Sequence, residues 1–208
     1  MPSELVQLQK LSRQTFYEAF SENNMEENMK KYLDEELSLE KLTIELNEPN
    51  SEFYFARWED EIIAYLKLNF GQSQTEIKDE KAVEIERIYV LKEFQRKNIG
   101  QILLEKAIQV SSQNNASYVF LGVWEENLGA IGFYKKNGFL EFDKHIFILG
   151  EDEQTDIMMK LFLYKSWVFS SEKLINVTKK LQINIHAIER KTHLEINSSF
   201  FWIWIGFD

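Results

Sequence analysis

The chain contains no cysteine. Disulfides, thiolate metal sites and a cysteine nucleophile are therefore excluded, and a reducing compartment fits. Its three histidines, His145, His186 and His193, show neither metal-ligand spacing nor a Ser or Cys partner signature, so no metal is expected. Positive charge is also scarce: 24 Lys and Arg stand against 34 Asp and Glu, a formal charge of −10. That balance, with no helix-turn-helix carrying a basic recognition face, argues against nucleic acid and favours a cationic small molecule or a basic peptide as partner. No stretch reaches the roughly 20 apolar residues of a membrane span. The opening MPSELVQLQKLSRQTF lacks the apolar run of a signal peptide. Neither a repeat nor a low-complexity linker stands out. The expectation is a soluble cytoplasmic protein.

What is present is enough for a substantial core: 208 residues, 44% of them apolar, make one domain or one with an appendage. Leu5, Leu8, Leu11, Phe16 and Phe20 recur at helical spacing over residues 4–20, and charge-rich helical sequence follows to about residue 46, breaking near Asp34 or Ser38. FYFARW and IIAYLKLNF read as a hairpin joined by Glu59-Asp60-Glu61. AVEIERIYV is a further strand in which Ile85, Arg87 and Tyr89 alternate against Glu84, Glu86 and Ile88. A polar turn then leads into a helix to about Ser112. SYVFLGVW is a strand, NLGAIGFYKKNG a short helix ended by Gly138, and FLEFDKHIFIL and DIMMKLFL two last strands. Mixed strands and helices around a β-turn-α centre place the chain in the α+β or α/β class.

The turn Gln95-Arg96-Lys97-Asn98-Ile99-Gly100 puts two cations and a glycine where a helix begins. A helix N-terminus carries unpaired N–H groups and the positive end of the macrodipole, and Gly100 lets an anion approach without a Cβ in the way. Diphosphate is the natural guest. A solvated basic turn, with glycine serving helix packing, is the alternative reading of the turn alone.

The turn has companions: the strand before it, and WEENLGAIGFYKKNGF about thirty residues on, where Asn127, Ala130, Phe133, Tyr134 and Gly138 are spaced along one short helix. Taken in that order, they resemble the GNAT superfamily of acetyl-CoA-dependent N-acetyltransferases. The turn looks like the superfamily's Gln/Arg-x-x-Gly-x-Gly/Ala signature, with Asn98 in place of one glycine. Asn is the non-glycine residue that best tolerates left-handed backbone, so the turn is expected to form. VEIERIYV, FLGVWEEN, AIGFYKKNGF and GEDEQTDIMMK are similar to the PaiA-type spermidine/spermine acetyltransferases. The resemblance covers residues 4 to about 163. It implies a twisted, mostly antiparallel sheet splayed at its central parallel strands and flanked by helices, acetyl-CoA as cosubstrate, and a polyamine or similar amine as acceptor. It also implies that the family's first strand is absent from this chain.

Residue roles follow from the same resemblance. Glu84 takes the position of a general base, with Glu86 as alternate; ordinary exposed-face glutamates are the other reading of both. Tyr134 stands where the family places its tyrosine acid, and a phenol of pKa ~10 can protonate a thiolate whose acid lies near ~8.5. The N–H of Tyr89 or Val90 is expected to polarise the carbonyl, and the strand through Ile88, Tyr89 and Val90 to pair with the pantetheine amides. Gln95, Arg96, Lys97, Asn98, Ile99, Gly100 and Gln101 are expected to hold the diphosphate, with Asn127, Ala130 and Phe133 along the cofactor and Lys135 or Lys136 at the phosphates. With no cysteine, direct transfer in a ternary complex is favoured over an acyl-enzyme.

For the acceptor, the candidates are the acidic clusters Glu26-Glu27, Asp34-Glu35-Glu36 and Asp79-Glu80, with Trp124 and Tyr32 packing on an aliphatic amine or capping an ammonium. Competing acceptors are a protein N-terminus or lysine and an amino-bearing antibiotic; a non-catalytic CoA-binding regulator is the reading from another class. Residues 1–163 form the expected acetyltransferase domain and 164–208 an atypical extension, with one plausible helix around 172–190 and an aromatic finish, FFWIWIGF. That extension is an added β-edge or homodimer contact, a membrane-surface hook, or sequence fused by frameshift or read-through. The missing first strand favours the last, in which the tail packs little.

Overall fold

The computed structural model describes residues 2–150, 152–163 and 183–187. The amphipathic N-terminal segment forms α1 (Pro2–Phe20), which buries Leu8, Leu11 and Phe16. Helices α2 (Glu26–Glu35) and α3 (Leu39–Asn47) follow. The break falls at Ser38, whose hydroxyl accepts the Lys41 N–H at 3.1 Å and caps α3. Strands β1 (Ser51–Trp58) and β2 (Glu61–Phe70) make the expected hairpin, with Glu59 left-handed at φ 54°.

Next come β3 (Ala82–Val90), α4 (Ile99–Gln113), β4 (Tyr118–Trp124), α5 (Leu128–Lys136), β5 (Leu140–Leu149) and β6 (Asp152–Phe162). Gly138, at φ 87°, ends α5 in the left-handed region, where a side chain would be strained. With β7 (Ile183–Ala187) the seven-stranded sheet has the order β5-β6-β4-β3-β2-β1-β7. Among the described residues only β3 and β4 run parallel; the other neighbours are antiparallel.

Helices cover both faces. One core packs Leu103, Leu104 and Ala107 of α4 and Ile131 of α5 on Val83, Ile85 and Leu121 of the sheet. The other packs α1–α3 on Phe53, Phe55 and Tyr65. Fully burying a leucine such as Leu103 or Leu104 contributes about 1.5–3 kcal/mol, which anchors α4 on the sheet. No helix among the described residues is long and apolar enough to cross a membrane.

The C-terminal extension departs from expectation at residues 183–187. The helix placed around 172–190 is there a strand, paired antiparallel with β1 from Tyr54↔Ala187 to Trp58↔Ile183. The stretch Ile183-Asn184-Ile185-His186-Ala187 alternates apolar and polar with period two, the strand pattern, and an open β1 edge offers the backbone partners. At these five residues the tail therefore packs as an added edge. The remainder of 164–208, with the aromatic finish, lies outside the described residues.

Candidate active site

The site begins where the two parallel strands part. β3 and β4 are paired only at Ala82↔Tyr118, Val83↔Val119 and Glu84↔Phe120. Beyond that they diverge, and Ile85–Tyr89 on one side and Leu121–Trp124 on the other line an open wedge. A β-bulge in β3 helps to open it: Lys67 faces Arg87 and Leu68 faces Ile85, so Glu86 is the extra residue. The bulge also corrects the simple alternation read from AVEIERIYV. Val83, Ile85, Ile88 and Val90 pack toward α4 and α5. Glu86 and Arg87, adjacent in sequence, both turn to the opposite side, where they pair with Lys67 and with Glu45 of α3.

On the α4 side lies a groove of about 550 Å³. Two non-glycine residues of its turn, Arg96 at φ 60° and Asn98 at φ 65°, are left-handed, so the asparagine forms the turn as expected. The first backbone bond of α4 runs from Ile102 N–H to Asn98 C=O at 3.1 Å, which leaves the N–H groups of Ile99, Gly100 and Gln101 ahead of the ladder. A Cβ on Gly100 would meet nothing within 4 Å, so that space is open groove and not helix packing. Gln95 lines the groove and donates from Nε2 to Val90 C=O at 3.1 Å. Leu91 N–H donates to Ile63 C=O of β2, so alternation turns Tyr89 N–H toward β2 and leaves those of Ile88 and Val90 on the wedge side.

Arg96, Gln101, Ala130, Phe133 and Lys136 also line the groove. Ile99 is buried and offers only backbone. Lys97 is not brought in: its Nζ sits 4.9 Å from the Phe94 ring centroid. Lys135 pairs with Glu141 at 2.7 Å. Lys92 and Asn137 line the groove although no sequence pattern marked them.

A second cavity, of about 320 Å³, opens on the α1–α2 side of the wedge. Tyr134, Asn127, Ala130, Ile88, Tyr89 and Ala19 line both cavities and form their junction. Asn127 caps α5 by accepting the Ala130 N–H at 3.1 Å, which fixes its side chain at that junction. Tyr134 is 6% exposed and packs against Phe133 and Phe139. Burial holds its phenol well above the ordinary tyrosine range, so it carries its proton throughout the neutral region.

The two strand glutamates are both tied down. Glu84 is buried and accepts Thr75 Oγ1 at 2.6 Å, Thr75 N–H at 2.8 Å and Asn69 Nδ2 at 3.0 Å. Burial raises its carboxyl above the usual range, with these bonds opposing. Glu86 also lies in low dielectric, but Arg87 and Lys67 outweigh burial and hold it below that range. Among the predicted acceptor residues, Tyr32 and Trp124 line the cavity. Glu35 and Glu36 line a neighbouring one, while Asp34 pairs with Arg13 at 2.8 Å. Glu26 and Glu27 lie exposed at the start of α2, and Asp79, which accepts Tyr118 Oη at 2.9 Å, sits with Glu80 outside the cavities. Sequence reasoning missed Glu76, His145 and Asp156, which come together in the second cavity from three separate segments. Only the period of β6, with Asp156 on the same face as Met158, hinted at it. No group of three or more His, Cys, Asp or Glu side chains among the described residues is placed to hold a metal ion.

Comparison with known proteins agrees with this architecture. The chain is 40% identical over 150 residues to an uncharacterised N-acetyltransferase of Lactobacillus delbrueckii subsp. lactis, covering 72% of this chain and 87% of that protein. An N-alpha-acetyltransferase of Sulfurisphaera tokodaii is 32% identical over 117 residues, 51% of this chain and 68% of its own. The crystal structure of the PaiA N-acetyltransferase from Thermoplasma acidophilum in complex with coenzyme A superposes with a TM-score of 0.63 at 21% identity, over 77% of this chain and 94% of that one. At that identity the likeness concerns the fold. The sequence profile of the acetyltransferase (GNAT) family matches residues 5–139, well over half of the chain. The chain belongs to the GNAT family of N-acetyltransferases.

Proposed function

We propose that this N-acetyltransferase moves acetyl from acetyl-CoA to a primary amine of a polyamine or similar polycation, by direct transfer in a ternary complex. The observation that carries the reading is the junction. A donor lying in the α4 groove and an acceptor entering the second cavity meet at one buried phenol, Tyr134.

The groove suits the coenzyme. Open N–H groups of Ile99, Gly100 and Gln101, the positive end of α4, Arg96 and Lys136 are what a diphosphate needs, and Gly100 leaves room for it. Ile88 and Val90 would hold the pantetheine arm through their wedge-side backbone. Bound there, acetyl-CoA supplies the acetyl group as a thioester. Tyr134, kept protonated by burial, serves as acid to the departing sulfur. The absence of cysteine removes the commonest acyl-enzyme route and supports single displacement.

The acceptor cavity supports an ammonium guest. Glu76, Glu84, Glu86 and Asp156 line it against Arg87 and His145, so negative charge is in excess. A peptide α-amine is the second reading, favoured by the identity to the Sulfurisphaera tokodaii N-alpha-acetyltransferase. Acetyl transfer to spermidine, spermine, short diamines and a panel of peptide N-termini separates the two. Turnover of polyamines is expected; turnover confined to peptides overturns the acceptor, and ping-pong kinetics with an isolable acetyl-enzyme overturns direct transfer.

A further inference from the structure

Asp156 enters the acceptor cavity from β6, where it sits across the ladder from Trp124 of β4 and His145 of β5. Its neighbours Ile157, Met159 and Leu161 pack into the core beneath α4 and α5. Asp156 and Met158 therefore take the other face, and both line the cavity. Gly122 of β4, which faces Met158, leaves the space beside the carboxylate clear: a Cβ there would come 3.4 Å from Asp156 Oδ2.

Four carboxylates line this cavity, and three are committed. Glu84 accepts three hydrogen bonds. Glu86 is held by Lys67 at 2.6 Å and Arg87 at 3.0 Å. Glu76 Oε2 lies 3.0 Å from His145 Nδ1. The Asp156 carboxylate takes part in no hydrogen bond or ion pair among the described residues, although it is half-buried in the cavity wall. A half-buried carboxylate without a partner costs stability unless a ligand supplies one.

We infer that Asp156 receives the acceptor ammonium and takes its proton ahead of acetyl transfer, an inference that rests on the amine-acetylating reading above. The ammonium gives one proton to the Asp156 carboxylate and becomes a neutral amine. Its nitrogen attacks the thioester carbonyl carbon, forming the C–N bond. The C–S bond then breaks, sulfur leaves with the Tyr134 proton, and the nitrogen releases its second proton, which restores the phenol. Asp156 returns its proton to solvent, so one acetylamine, one thiol and one proton result.

The surroundings suit a base at neutral pH. Burial pushes the Asp156 carboxyl up to about 6; His145 from β5 opposes this, while Glu76, from the segment before β3, and Glu125, at the end of β4, add to it. Lys144 lies 3.4 Å from Glu125 and tempers that charge. From β3 come Glu84, Glu86 and Arg87, and the helical side presents Phe16, Phe20 and Tyr32. The group is thus ionised at pH 7 yet close enough to it to accept a proton readily.

The test compares wild-type protein with Asp156→Asn, using acetyl-CoA and spermidine from pH 5 to 9, with acetyl-CoA affinity measured in parallel. Asp156→Asn is expected to lower kcat/KM for the amine about 10²-fold at pH 7. It should also remove the wild-type acid limb near pH 6 and leave acetyl-CoA affinity unchanged. Asp156→Glu should recover part of the rate and the limb, which a merely structural role would not do. Should Asp156→Asn lose acetyl-CoA affinity, Asp156→Ser, which leaves the cavity open, takes its place with the same expectation. Wild-type activity with an unaltered pH profile in the variant overturns the role of Asp156 alone. Wild-type protein that acetylates no primary amine overturns the functional reading and this inference together.

Discussion

Lys67 Nζ lies 2.6 Å from Glu86 Oε2, with both side chains largely removed from solvent. Around them Glu45 and Arg87 close a four-charge cluster in which cations and anions balance: Lys67–Glu45 at 3.1 Å, Arg87–Glu45 at 2.6 Å and Arg87–Glu86 at 3.0 Å. The cluster ties β2 and the bulge of β3 to α3, and so holds the wall of the second cavity. Lys67→Met would leave one anion uncompensated in low dielectric, and a loss of about 3–5 kcal/mol in urea unfolding is expected. A change under about 1 kcal/mol would show that water, not Lys67, compensates the glutamates.

This cluster also shows where the sequence stops being legible. Element order, the hairpin, the Ser38 break and the α4 turn follow from period, caps and glycine, all of them local signals. The bulge at Glu86 arises from pairing with β2, and a period-two reading of β3 cannot contain it. Lys97 shares its composition with Arg96, yet the ring of Phe94 draws it out of the groove. Asp156, Glu76 and His145 come from segments up to 80 positions apart, so no spacing rule gathers them. The β7 strand was hidden because its short alternation sits within sequence whose composition reads equally well as helix.

Gly100→Glu is expected to abolish acetyl-CoA binding and leave folding intact. The open space around the would-be Cβ and the helical position of residue 100 mean that the fold tolerates a side chain. The carboxylate would, however, enter the place proposed for the coenzyme's diphosphate. Calorimetric titration and a thermal melt check both halves: wild-type affinity refutes the phosphate site, and a collapsed melt means that Gly100 serves the fold.

Tyr134→Phe keeps the contacts with Phe133 and Phe139 and removes only the hydroxyl. Turnover should fall about 10²-fold, in the range for a lost general acid, with acetyl-CoA affinity nearly unchanged. Steady-state kinetics beside a binding titration distinguish the cases; unchanged turnover would leave the proton of the leaving thiol to water.

Asp156 makes a prediction about stability that is separate from catalysis. Its carboxyl rises from 3.8 to about 6 on folding, chiefly through burial. Below pH 3.8 it is protonated in both states and contributes nothing. Between 3.8 and 6 the folded protein retains a proton that the unfolded chain has released, so stability falls as pH rises. Above 6 the full cost of holding a buried, unpaired charge is present. Asp156→Asn removes that cost. After discounting for partial solvent access, the variant should be more stable than wild type by about 1–2 kcal/mol at pH 7.5, with the gain vanishing near pH 4. Charges common to both proteins, the His145–Glu76 contact among them, cancel in the difference. Urea unfolding of the two proteins at both pH values measures it. A difference that does not change with pH, or a variant less stable at pH 7.5, would mean that the folded protein gives this carboxylate a partner of its own, and with it the reason to expect an incoming ammonium there would go.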